Sequence, residues 1–261
     1  MPLSTRPTLR AVLAAFLPAA AAGCLSSTSD VTGTAPTPTA PYLRLIQGVS
    51  DATSGIDAYV NGSVAFNNGQ LGGGLPYVPL AAAGPRVTFA NDLTGAAFFD
   101  QTVSTITGAG AAFTVVAYGR VTSGSAPAAT ATLLADTTLA ASGSTALFRA
   151  FNTIDYVRSG YGTPVDVFIY QTGTARPSAP DIAALPWGAR SPYISKATTG
   201  STVQIDVFAA GTEATATAPL FTTTAQVQPG SVRTLVLLDP PASVGTTGAG
   251  SVLVLVDYTF K

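Results

Sequence analysis

Ile56-Asp57-Ala58-Tyr59-Val60-Asn61-Gly62 alternates apolar and polar side chains and then breaks at Asn-Gly. A period of two is the signature of a half-buried strand, with Ile56, Ala58 and Val60 on one face and Asp57 and Tyr59 on the other. Asn-Gly offers two residues that tolerate positive φ, which is what a tight hairpin needs. The pattern returns as Val165-Asp166-Val167-Phe168-Ile169-Tyr170. Whatever the first stretch forms, the chain forms twice.

The flanking segments repeat in the same order. Tyr42-Leu43-Arg44-Leu45-Ile46-Gln47 precedes the first copy across a loop containing Ser50-Asp51-Ala52, and Ala146-Leu147-Phe148-Arg149-Ala150-Phe151-Asn152 precedes the second across a loop containing Asp155. Each copy continues with a Pro-Tyr opening, Pro76-Tyr77-Val78 and Pro192-Tyr193-Ile194. An alternating strand follows, Arg86-Val87-Thr88-Phe89 and Thr202-Val203-Gln204-Ile205-Asp206-Val207, and then an apolar one, Phe113 to Tyr118 and Arg233 to Leu238. Two long copies predict a tandem of domains, over residues 42–140 and 145–261, where a solenoid would need more and shorter units. The small residues Ala140 to Ser144 form the junction. Short β-branched strands between Gly and Pro turns predict an all-β protein of two Greek-key-type (immunoglobulin/transthyretin-like) sandwiches, with no helix of any length.

Composition agrees. Charged residues make up 10% of the chain, against the usual quarter, with one Glu (Glu213) and two Lys (Lys196 and Lys261). Solvated helices draw their outer faces from such residues, so their shortage favours strands. The net charge of -1 offers no phosphate-neutralising surface, and nucleic acid is not an expected partner.

The N-terminus reads as an address. Arg6 and Arg10 precede the apolar run Ala11 to Leu17, and small residues lead to Ala21-Ala22-Gly23-Cys24. This is signal-peptide anatomy over residues 1–23, too short for a membrane span. Its end resembles a bacterial lipobox, which implies that Cys24, the single cysteine, takes a diacylglycerol and becomes the new N-terminus. The membrane is then a partner through that anchor. Residues 24–41, with Pro36, Pro38 and Pro41 among Ser and Thr, are expected to be a disordered tether reaching roughly 55 to 60 Å when extended. Leu25 after the cysteine points to the outer membrane in a Gram-negative host.

The chain contains no histidine. That excludes a Ser-His-Asp or Cys-His arrangement and any histidine zinc site. With Cys24 acylated, cysteine metal sites and disulfides are excluded as well. No Asp-x-Asp-x-Asp-Gly calcium loop exists, and Gly72-Gly73-Gly74 lacks the Lys and helix of a phosphate loop. No metal, cofactor or catalytic residue is therefore assigned.

What remains for an enzyme is a carboxylate pair of glycosidase type, and Asp51 with Asp57, or Asp155 with Asp166, are the pairs that recur. The simpler expectation is that Asp51 and Asp155 accept local backbone N–H groups. On that reading Asp57 and Asp166 point outward, opposite Arg44 and Arg149 on neighbouring strands. The ligand-binding candidates are Asp51, Asp57, Tyr59, Asp166, Phe168 and Trp187, the aromatics among them as a stacking surface for sugar rings.

The order of strand, Ser-Asp-Ala loop, Ile/Val-Asp-x-Tyr/Phe strand, hairpin, Pro-Tyr strand and final Phe113 to Arg120 strand resembles the DUF4397 domain. That is a bacterial envelope module of unknown function usually found in tandem. The likeness covers most of residues 42–258. The family's His-Ala pair at the end of the first strand is replaced by Gln47-Gly48 and Asn152-Thr153, so no histidine-dependent role carries over. The resulting expectation is a lipid-anchored cell-envelope protein, a non-enzymatic binding or structural module for a surface glycan, polymer or protein, with a carboxylate-based glycoside hydrolase as the alternative.

Overall fold

The computed structural model describes residues 39–122, 124–136, 141, 143–155, 164–198, 202–212, 218–240 and 250–257. The signal segment, Cys24 and nearly all of the tether lie outside them. The first half of the body contains β1 (Tyr42–Gln47), β2 (Ile56–Val60), β3 (Ser63–Gly69), β4 (Gly74–Pro79), β5 (Arg86–Asn91), β6 (Ala97–Thr102), β7 (Ala112–Tyr118) and β8 (Thr130–Asp136). The second contains β9 (Thr145–Asn152), β10 (Val165–Gln171), β11 (Ile182–Leu185), β12 (Ile194–Ala197), β13 (Thr202–Ala209), β14 (Phe221–Gln226), β15 (Val232–Leu238) and β16 (Ser251–Val256). No helix occurs among the described residues.

The sequence repeat becomes a repeat of topology. Sheet 1 has the order β4-β1-β7-β8 and sheet 2 the order β3-β2-β5-β6, while sheet 3 (β12-β9-β15-β16) and sheet 4 (β11-β10-β13-β14) copy them strand for strand. Even the single parallel pair of each half recurs, β1 with β7 and β9 with β15. Asn61 (φ 51°) and Gly62 (φ 77°) make the β2–β3 turn, as the Asn-Gly signal predicts.

Each half is a two-sheet sandwich with its own core. Leu43, Leu45, Ile56, Ala58, Phe89 and Val115 fill the first, and Phe148, Ala150, Val167, Ile205, Leu235 and Leu237 fill the second. A third apolar cluster lies on the other faces of sheets 1 and 3. Ile46, Val116, Tyr118 and Leu134 from sheet 1 meet Phe151, Val236 and Leu238 from sheet 3. The two sandwiches thus pack through these sheets, which become interior layers. This explains why β7 and β15 are buried at every position and read as near-continuous apolar runs instead of alternating.

One expectation is corrected at this level. Arg44 and Arg149 do not neighbour Asp57 and Asp166, because β1 and β2 belong to different sheets, as do β9 and β10. The arginines project from the faces that the two sandwiches share.

Candidate functional site

Cys24 lies outside the described residues; the other sequence candidates are dispersed, and most are tied into the scaffold. Asp51 accepts hydrogen bonds from the backbone N–H groups of Val121 (3.0 Å) and Thr122 (3.2 Å), fastening the β1–β2 loop to the segment after β7. Asp57 accepts from the N–H of Asn68 at 2.9 Å, on the outer side of sheet 2, and from the Tyr59 hydroxyl at 3.4 Å. The Asp57 charge in turn raises the Tyr59 phenol above its ordinary pKa. Asp51 and Asp57 therefore serve separate segments and share no partner.

In the second sandwich the equivalent outer face is covered. Asp166 is buried and accepts from Ala184 N–H (2.6 Å) and Gly211 N–H (2.8 Å). Phe168 is fully buried, edge-on to Phe208 with centroids 5.5 Å apart, and the Arg176 guanidinium lies 4.4 Å above the Phe208 ring. Trp187 packs against Tyr118 at 5.0 Å, joining the apolar cluster between the sandwiches.

The densest concentration of functional groups is one the sequence reading did not assemble. Arg44, Thr114, Tyr77 and Asp136 of the first sandwich face Arg149, Thr234, Tyr193 and Asp257 of the second, and the charged partners are exchanged. Arg44 Nη2 donates to Asp257 Oδ1 at 2.7 Å, and Arg149 Nη2 donates to Asp136 Oδ1. Each guanidinium also donates through Nε to the threonine of its own sandwich, Thr114 at 3.0 Å and Thr234 at 2.8 Å. Each donates through Nη1 to a backbone carbonyl of the other sandwich, Val256 at 2.9 Å and Ala135 at 2.7 Å.

The carboxylates are completed from their own side. Asp136 Oδ2 accepts from Tyr77 (2.5 Å) and Thr114 (2.7 Å), and Asp257 Oδ2 from Tyr193 (2.7 Å) and Thr234 (2.6 Å). Each arginine stacks over the tyrosine of its own sandwich, at 4.3 Å and 4.7 Å. Each of these contacts has its counterpart on the other side, as if related by a two-fold axis; Arg44 Nη2 alone donates in addition to its own threonine, at 2.8 Å. A further ion pair, Arg120 Nε to Asp155 Oδ2 at 2.5 Å, crosses the same boundary beyond the far end of β7; it is an electrostatic contact without hydrogen-bond alignment.

Both aspartate side chains are wholly inaccessible to solvent. Two positive and two negative charges balance, which is the condition under which such groups can be buried together. Burial, followed by the neighbouring Asp257 charge, pushes the Asp136 carboxyl up from its ordinary value. Burial also pushes the Tyr77 and Tyr193 phenols well above theirs, each next to a carboxylate that needs its proton. The signal was present in the sequence as recurrence: Leu43-Arg44 and Phe148-Arg149, Thr114 and Thr234, the two Pro-Tyr openings, and an aspartate closing each last apolar strand.

Two shallow grooves lie along the side of the first sandwich between the edge strands β6 and β8. One, of about 280 Å³, has Val115, Ala131 and Leu133 as its apolar lining and Gln101, Thr102 and Thr105 as polar lining; the other, of about 250 Å³, continues past Phe98 to the segment around Arg120 and Thr122. In the second sandwich the corresponding edges close on each other. There the Phe221 ring sits so near Gly250 that a Cβ at that position would lie 2.7 Å from it.

Fold and lattice together define a protein of two like β-sandwich modules paired through equivalent sheets. Residues 41–159 match the family model described as a domain of unknown function, DUF4397, which spans the first sandwich and runs into β9. Over that stretch the chain carries a DUF4397 domain. No curated protein matches it.

Proposed function

We propose that the protein is a non-enzymatic, lipid-anchored module of the cell envelope that binds a surface glycan, polymer or protein, with the open side of the first sandwich as the binding face. The observation that carries this reading is the asymmetry between two otherwise equivalent halves. The second sandwich has closed its β14–β16 side and covered its outer sheet, whereas the first leaves a groove with an apolar floor and polar rim between β6 and β8. A concave strip of that kind, with hydroxyl and amide groups at its edge, suits a ligand that presents both apolar faces and hydrogen-bonding groups. Of the carboxylates considered for hydrolysis, Asp51, Asp57 and Asp166 are engaged with backbone N–H groups and Asp155 is paired with Arg120. The anchor rests on Ala21-Ala22-Gly23-Cys24 and the polar tether behind it.

Two measurements test the reading. Labelled fatty acid should enter the wild type and vanish in Cys24→Ala, which should also leave the membrane fraction; equal labelling of both would remove the anchor. A soluble form lacking residues 1–24 should bind cell-wall material or a member of a glycan panel, and Ala131→Arg, which fills the groove, should abolish that binding. Retention by Ala131→Arg at wild-type strength would place the ligand elsewhere.

A further inference from the structure

The lattice between the sandwiches has a property that neither core has: its two sides carry the same set of groups. Arg44, Thr114, Tyr77 and Asp136 present to the second sandwich the same groups, in or directly beside the equivalent strands, that Arg149, Thr234, Tyr193 and Asp257 present to the first. The apolar contacts beside them obey the same correspondence, with Ile46 equivalent to Phe151 and Val116 to Val236. A surface whose partner carries its own pattern is an isologous interface of the kind that joins two copies of one protein.

The charges matter here for orientation more than for adhesion. An apolar patch tolerates sliding and rotation, because its energy follows area alone. The exchanged pairs do not: a shift along the strands takes Arg44 away from Asp257 and Arg149 away from Asp136 together, leaving four buried charges unmatched. Buried ionic groups are best attested as devices that fix register in this way.

We propose that the outer face of sheet 1 is a pairing surface for a second module of the same kind, recognised through the Arg-Thr-Tyr-Asp set, so that the two modules hold together without the covalent link between them and either can be supplied by a second copy of the chain. This stands apart from the question of which ligand the groove takes.

The test keeps the whole protein and cuts it. A protease site is inserted between Ala140 and Ala141, the purified chain is cleaved, and the halves are followed by size exclusion at micromolar concentration. They should co-elute as one species of the uncut mass. When two cleaved preparations are mixed, one tagged on its first half and the other on its second, tagged pairs should form by exchange. Arg149→Ala should weaken the association at least about a hundredfold, and Arg44→Ala, on the opposite module, should do the same. Both halves should keep their β-sheet circular dichroism, which separates loss of pairing from loss of folding. Arg86→Ala, at an exposed pair with Asp100 outside the interface, should leave association unchanged. Separation of the wild-type halves on cleavage, failure to exchange, or wild-type affinity in both arginine variants would overturn the proposal.

Discussion

Arg149→Ala in the uncut protein tests how far the lattice governs stability. The substitution removes three hydrogen bonds, from Nε to Thr234, from Nη1 to the Ala135 carbonyl and from Nη2 to Asp136, together with the stacking over Tyr193. It also leaves Asp136 fully buried with Tyr77 and Thr114 as its hydrogen-bond donors and the Arg44 guanidinium 4.0 Å away. Breaking a buried ion pair from one side destabilises by about 3–5 kcal/mol, most of it the penalty of the stranded charge. For a body the size of Thr37–Lys261, that corresponds to a fall in Tm of roughly 6–20 °C. Asp136→Ala added to Arg149→Ala removes the stranded charge, so the double variant should be at least about 1 kcal/mol more stable than the sum of the single losses predicts. Urea denaturation of the four proteins supplies the cycle. A single-variant loss below about 1 kcal/mol, or additivity within about 0.5 kcal/mol, would refute the reasoning.

Two further outcomes follow from individual side chains. Arg233 stands where the first sandwich has Phe113; it is buried, burial lowers its pKa, and its Nε has no hydrogen-bond partner among the described residues. Arg233→Phe should therefore raise stability in urea by about 1–2 kcal/mol, the penalty of an unmade buried donor, and a loss would show that the guanidinium is engaged after all. The Tyr170 phenol, raised to about 12 by burial and then by its hydrogen bond to Asp206, favours the protonated form in the fold. Its contribution is complete below the ordinary tyrosine value of about 10 and is lost as pH rises through 12, so Tyr170→Phe should blunt the alkaline fall in stability over that window. Phenolate absorbance that rises fully near pH 10 would contradict it.

The fold was legible because the repeat carries it. Alternation at Ile56 to Val60, the Asn61-Gly62 turn and the matched order of segments give strands, hairpin and two like sandwiches without reference to packing. Edge strands were harder to read. Ala97 to Thr102 and Phe221 to Gln226 mix Phe with Asp, Gln or Thr, since an edge has water on one side and weak demands on the other. Arg44 and Arg149 were seen but misplaced, because spacing along a chain does not say which sheet the next strand joins. The lattice needs residues separated by up to 213 positions, as Arg44 and Asp257 are. Only the recurrence of unlike residues in apolar strands could have announced it.

The shortage of charge in this chain and its burial of charge have a common cause. Of its 12 basic and 13 acidic residues, at least Arg44, Asp136, Arg149, Asp155, Asp166, Asp206, Arg233, Asp239 and Asp257 are buried, although such side chains are almost never fully buried unless paired. The outer strands are wetted by Thr, Gln and Ser instead, as in Thr222-Thr223-Thr224 of β14. Two sandwiches with apolar outer sheets would adhere in many orientations, and each exposed charge would offer a wrong partner to an arginine seeking its aspartate. A surface in which neutral polar groups predominate leaves few such competitors. The charges that do lie between the modules then have one satisfactory arrangement, in which Arg44 and Arg149 each reach across to the carboxylate of the other sandwich.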